Sequence, residues 1–228
     1  MIITDRFPTL LLALVFSCLF LSPVLSENTA DNTEIKPNSR FLTSPETGVD
    51  YTPLQKRLQR QQWQEANETS TYLILRAVSR DEEGWMSDED VAQLACWDLK
   101  TLDRLWKEYS QGKFGFSVQF PIFINTGNQP GKLIAGDFYD DFGARVGWRK
   151  DGQWIAFKYN LIYNLDAPIG HLPNPRSEYQ VTGGRLNYTA LTKRMVECRL
   201  VFSTFSGKHT YDTDLTHFYS SLEKLNKT

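Results

Sequence analysis

Apolar positions along the chain set out a series of short helices. Leu54 and Leu58 lie one turn apart among Arg, Lys and Gln, and a second helix is predicted from Trp63 to Ser79, with Tyr72, Leu73, Arg76 and Ala77 at helical spacing. Ser87-Asp88-Glu89-Asp90 resembles a capping box and should open a short helix through Val91 and Leu94. Asp98 reads as the cap of the clearest helix, in which Leu102, Leu105, Trp106 and Tyr109 fall at i, i+3, i+4 and i+7 before Gly112. The next run alternates: Phe114, Phe116, Val118, Phe120, Ile122 and Ile124 have the period of a strand.

Residues 125–136 hold four Gly or Pro and read as a loop, followed by a helix over Asp137–Val146 that Gly147 closes. Two short aromatic segments follow, Gln153–Tyr159 and Leu161–Leu165. Ala167–Gly184, with three Pro and three Gly, must be a long loop. Tyr188–Val201 reads as helical, with Leu191, Met195 and Cys198 on one side. Leu215, Phe218, Leu222 and Leu225 mark a last amphipathic helix capped by Asp214. The pattern as a whole predicts a mostly α chain.

The N-terminal segment has a different character. Arg6 precedes an apolar run from Leu10 to Leu25, and Val24 and Ser26 suit a cleavage site before Glu27. This is the layout of a secretory signal, with an uncleaved anchor as the alternative. The expected organisation is therefore a signal peptide over 1–26, a polar flexible linker over 27–49, a domain over 50–202 and a tail over 203–228.

Composition narrows the chemistry. The 228 residues are 41% hydrophobic and 23% charged, with a net charge of −2. That describes a globular chain with no basic footprint for nucleic acid. Six Trp, ten Tyr and fourteen Phe either fill a core or also line a site for a flat ligand. There is no phosphate loop, no Cys-x-x-Cys and no His-Glu-x-x-His, and three His (171, 209 and 217) are few for a metal centre. Asp81-Glu82-Glu83, Asp88-Glu89-Asp90 and Asp140-Asp141 fit helix starts or a solvated face. The expected protein is not an enzyme. Cys96 and Cys198 either pair or stay buried as thiols. Asn67, Asn187 and Asn226 begin triplets of the N-glycosylation pattern.

Four ordered stretches are more specific. They are Glu83-Gly84-Trp85-Met86 with Cys96, Asp98-Leu99 and the helix of Asp103 and Leu105-Trp106; Tyr109-Ser110-Gln111-Gly112-Lys113-Phe114-Gly115-Phe116-Ser117-Val118-Gln119; Arg145-Val146-Gly147-Trp148-Arg149; and Ala167-Pro168-Ile169-Gly170-His171-Leu172-Pro173. Together, over about 50–200, they resemble the genomes-uncoupled four family, whose members bind porphyrins and stimulate magnesium chelatase.

The resemblance implies an all-α fold, a compact helical domain with a cupped ligand-binding surface closed by long loops. It also implies that residues 114–124 form a helix, although Pro121 should end or kink it near Phe120. The implied function is non-catalytic binding of a tetrapyrrole of protoporphyrin or magnesium-protoporphyrin type, with no cofactor required. The alternative is an interaction domain that kept the fold and lost the pocket.

Candidate palm residues are Phe116, Val118, Phe120, Trp148, Phe157, Tyr163 and Leu172. Arg149, Arg176 and Arg185 are candidates for the pigment's propionates, because a guanidinium pairs bidentately with a carboxylate. Arg149 has a structural salt bridge as its competing role. His171 is either an axial metal ligand or a loop brace. The signal points to export, to a periplasm or thylakoid lumen, or to a membrane anchor. Magnesium chelatase is a partner only if the chain is not exported.

Overall fold

In a computed structural model of the chain, residues 42–174 and 184–202 are described, without the side chains of residue 158 and residues 184–187. They form eight helices and one small hairpin: α1 (Thr52–Gln59), α2 (Trp63–Ala77), α3 (Asp88–Gln93), α4 (Cys96–Tyr109), α5 (Phe116–Asn125), α6 (Phe138–Arg145), β1 (Arg149–Lys150), β2 (Gln153–Trp154), α7 (Phe157–Asn160) and α8 (Gly184–Glu197). The all-α expectation holds, with a two-stranded antiparallel sheet as its only departure among the described residues.

Helices α1, α2 and α4 pack on one another, and α4 passes the core on to α5 and then α6. Leu54, Leu58, Leu99, Leu102 and Leu105 line the first part. Its centre is aromatic: Trp106 lies 6.0 Å from Trp63 and 6.2 Å from Phe114, and its indole N–H donates to Ser70 Oγ at 2.9 Å. A second aromatic centre joins α5, α6 and α8, where Phe142 lies 5.4 Å from Phe123, 5.4 Å from Trp148 and 5.0 Å from Tyr188. Offset and edge-on ring pairs of this kind add about 0.5–1.5 kcal/mol each to the area they bury.

Helix α3 starts at the predicted capping box: Ser87 Oγ accepts from the Asp90 amide, and Asp90 accepts from the Ser87 amide. It packs along α8, and Arg194 of α8 donates to the Leu94 carbonyl at 2.8 Å. Cys96 and Cys198 are joined in a disulfide that ties the start of α4 to the end of α8.

Several expectations change. Asp98 is not a cap; the N-cap is Ala95, without a side-chain bond, and Asp98 is fully buried inside the first turn. Its carboxylate accepts from Ser44 Oγ, Thr47 Oγ1 and the Tyr51 hydroxyl at 2.8–3.0 Å. Those partners lie in or next to the segment that composition assigns to a linker. Residues 42–49 are folded, with Leu42, Ser44 and Val49 buried. Helix α8 starts at Gly184, four residues before the expected Tyr188.

Residues 116–125 are helical, and α5 runs on past Pro121 to Asn125. The proline removes one i→i−4 bond without ending the helix there. The alternation that mimics a strand arises because α5 is enclosed: Phe116, Val118, Gln119, Phe120, Ile122 and Phe123 are all buried, so no polar stripe sets a helical period. Asn67 is buried and accepts from the Asn174 amide at 2.7 Å, which withdraws its triplet from glycosylation. The predicted tail helix, the N-terminal segment and Asn226 lie outside the described residues.

Candidate functional site

The site region begins where α6 ends. Gly147 takes φ +74°, and a Cβ there would lie 2.8 Å from Pro168 Cγ, so only glycine fits between α6 and the loop at 167–174. The chain then makes a hairpin whose turn, Asp151-Gly152, has positive φ at both residues, as a two-residue hairpin turn requires. Asp-Gly is the sequence that supplies it most readily.

The hairpin pairs Arg149 with Trp154 across the strands. Trp154 folds back over α6, where Gly143 leaves room for its ring, and lies 5.3 Å from Tyr139. Arg149 Cζ sits 5.8 Å from the Trp154 ring centre, a cation–π contact. The same guanidinium pairs with Asp140 at 3.1 Å and donates to the Gly152 carbonyl. Its Nε is buried without a hydrogen-bond partner. Phe157, at the start of α7, meets Trp148 edge-on at 6.1 Å and Trp154 at 6.3 Å. Tyr163 follows, half-buried, its hydroxyl pKa raised by burial and by the charge of Glu68.

The ten predicted ligand residues divide into three groups. Phe116, Val118, Phe120, Trp148 and Leu172 are no more than 4% exposed and belong to the core. Of these, Trp148 backs the aromatic surface as its floor, edge-on to Phe157. Trp148 is fixed there by its indole N–H, which donates to the His171 carbonyl at 2.8 Å. Arg149, Phe157 and Tyr163 reach solvent in part. Arg176 lies outside the described residues, and so does the side chain of Arg185, in the first turn of α8. Half of the loop expected to close over the site, residues 175–183, falls in the same undescribed stretch.

Trp154 and Asp140 are the members that sequence reasoning missed. The aromatic density of 153–159 was the signal for Trp154. Nothing in the sequence pairs Asp140 with Arg149, nine residues on.

Gln119, buried in α5, holds the floor together. Its amide donates to the Pro173 carbonyl at 2.8 Å and accepts from the Tyr188 hydroxyl at 2.9 Å. A separate cleft of about 300 Å³ lies between α3, α8 and the 131–133 loop. Asp88, Glu89, Lys193, Arg194 and Glu197 line it, and none of the predicted ligand residues does. Ligand pockets for flat apolar molecules are mostly apolar, so this mixed-charge cleft is a poor match. No group of three or more His, Cys, Asp or Glu among the described residues is placed to hold a metal ion.

The arrangement can offer half-buried aromatic faces (Trp154 and Phe157) beside one guanidinium, with Tyr163 further along the chain. It supplies contact area and a carboxylate partner, with no nucleophile and general base held together among these residues.

Known proteins share this framework. A Ycf53-like protein of Synechocystis is 30% identical over 139 residues, 60% of this chain and 56% of that protein. The chloroplastic tetrapyrrole-binding protein of Arabidopsis thaliana is 28% identical over 142 residues, 56% of this chain and 49% of that protein. The chain thus spans about half the length of the curated relatives it matches. The structure of GUN4 from Chlamydomonas reinhardtii superposes with a TM-score of 0.52 at 29% identity, covering 66% of this chain and 92% of that one. Ligand-free Arabidopsis thaliana GUN4 gives 0.50 at 22% identity over 61% and 93%, a likeness of fold. The GUN4-like family model matches residues 44–193, which take in the clasp on Asp98, all of α1–α7 and most of α8, and on that match the chain belongs to the GUN4-like family.

Proposed function

We propose that this protein binds a tetrapyrrole of protoporphyrin or magnesium-protoporphyrin type without transforming it, in the service of porphyrin or chlorophyll metabolism or its regulation. The observation that carries the reading is the family match over 44–193, in a family with a relative named for tetrapyrrole binding. The aromatic surface around Trp154 and Phe157 supports it, with Arg149 at hand for a propionate. A flat apolar disc that buries several hundred Å² gains on the order of 10 kcal/mol at about 25 cal/mol per Å², before ordering costs. Micromolar affinity then needs no bond to a metal. Arg149 would exchange its Asp140 partner for the pigment carboxylate, so its contribution is the difference between two ion pairs.

Titrating the full chain with protoporphyrin tests the proposal. The expected result is saturable quenching of Trp fluorescence together with a red-shifted Soret band. Absence of quenching beyond the inner-filter correction contradicts it. That outcome would favour the second reading, an interaction domain whose palm has closed, which is supported by the near-complete burial of Phe116, Val118, Phe120, Trp148 and Leu172.

The proposed place of action is outside the cytoplasm, in a periplasm or thylakoid lumen, uncoupled from magnesium chelatase; membrane anchorage through residues 1–26 is the alternative. The Cys96–Cys198 disulfide supports this, because disulfides persist in oxidising compartments. In protein taken from its own cells under thiol-trapping conditions, both cysteines should label with maleimide only after reduction. Labelling of Cys96 or Cys198 before reduction would place the protein in a reducing compartment.

A further inference from the structure

His171 is completely buried, and both of its ring nitrogens are engaged. Nδ1 lies 2.7 Å from the Val146 carbonyl, and Nε2 faces the Ile162 amide at 2.9 Å. A carbonyl only accepts and an amide N–H only donates, so the partners fix one neutral tautomer: Nδ1 carries the proton and Nε2 is bare. The backbone carbonyl of the same residue holds the Trp148 indole. One side chain therefore joins the end of α6 to the segment 161–165. Gly147 makes room for it, since a Cβ there would stand 3.1 Å from Nδ1.

We propose that His171 is the positioning residue of the aromatic segment and a pH-gated latch: neutral, it holds residues 161–165 against the core, and protonated, it releases them. A proton on Nε2 turns the only acceptor facing the Ile162 amide into a donor, so that two N–H groups meet head to head. Burial opposes that proton and pushes the His171 pKa down, and the Val146 carbonyl pulls the other way. Among the described residues, no neighbouring charge is placed to shelter an imidazolium. Besides His171, residues 167–174 and α5 carry no ionisable side chain. On α6 and the hairpin, Asp140 is paired with Arg149, and Asp141 and Arg145 are exposed. On the segment itself Asp166 is exposed and Tyr163 is uncharged at neutral pH, while the Lys113 ammonium is engaged by the Leu165 carbonyl.

Linkage gives the direction of the pH effect. The latched pKa lies below that of a free imidazole, about 6.5, so the latch is at full strength above about pH 6.5. As pH falls from there to the latched pKa, the open state takes up a proton that the latched state does not. Opening then becomes about tenfold more favourable per pH unit. Because Tyr163 lies on the released segment and Phe157 just before it, the latch would also gate the pigment surface. That consequence alone rests on the proposed function.

The test is the amide-exchange protection of Ile162 in the full chain between pH 7.5 and 4.5, for wild type and His171→Gln. Wild type should lose protection about tenfold per pH unit below about 6.5, while α4 amides such as Leu102 keep theirs and His171→Gln shows no pH-dependent loss. Flat Ile162 protection in wild type overturns the proposal, and so does an equal loss in His171→Gln or a parallel loss at Leu102. If His171→Gln does not fold, the wild-type imidazole nitrogen shifts decide. They must report the Nδ1–H tautomer at pH 7.5 and titrate with the same midpoint as the Ile162 opening, and a different midpoint overturns it. Porphyrin that fails to bind at any pH, with the Ile162 opening intact, would remove the proposed function and leave the latch.

Discussion

Two buried carboxylates on α4 do work that neither could do exposed. Asp98 gathers three hydroxyls, Ser44, Thr47 and Tyr51, and so fastens residues 42–51 to the helix. Burial, followed by the charge of Asp98, pushes the Tyr51 hydroxyl far above its usual range, so the tyrosine remains a donor. Asp103 accepts from the Ser117 amide at 2.7 Å and from its hydroxyl at 2.8 Å, and thereby caps α5, whose own N-cap Gly115 has no side chain to offer. Its pKa is raised, because burial outweighs those hydrogen bonds. Asp103→Ala should cost about 0.5–2 kcal/mol, the usual range for losing a helix cap, since it leaves the half-buried Ser117 donors without this partner. Asp103→Asn, which keeps an acceptor without the buried charge, should cost less. Urea unfolding midpoints of the two variants check both; equal midpoints for Asp103→Ala and wild type would refute the cap.

Local signals were enough for most of the elements. The stripe Leu102, Leu105, Trp106 read α4 correctly, and the Ser87 capping box marked the start of α3 to the residue. Both signals are local in sequence, and local spacing records them. Helix α5 was legible only through the resemblance, because a helix enclosed on nearly every side has no polar face to betray its period. The roles of Asp98 and Asp103 were hidden for another reason. Asp98 takes its partners from 47–54 residues away, and Asp103 reaches across 14 to the next helix, so the first-turn position of Asp98 suggested a cap instead. At the site, the sequence found aromatic residues and Arg149 but could not sort floor from surface. Phe120 and Phe157 look alike in a sequence, yet α5 buries the first while the short α7 leaves the second at the edge.

Across the whole molecule, two aromatic centres and a covalent tie share the task of holding a small domain together. Helix α4 bridges the centres, since Trp106 stands in the first and Asp103 grips the helix that carries Phe123 of the second. The disulfide spans 102 residues, from the start of α4 to the end of α8, and its loop takes in the second centre together with Trp106 and Phe114 of the first. Closing a loop of that length restricts the unfolded chain by about 5 kcal/mol in the chain-entropy account, comparable to the net stability of many domains. The hairpin and segment 155–165 join this frame through Arg149 to Asp140, His171 to Ile162 and Lys113 to Leu165. A tetrapyrrole is proposed to lie on this surface. The most direct measurement is hydrogen exchange of the full chain with and without protoporphyrin at pH 7.5. Exchange should slow across 149–165 and 167–174, with α1 and α2 unchanged. Exchange that is unaltered everywhere, or slowed only within α1–α4, would contradict it.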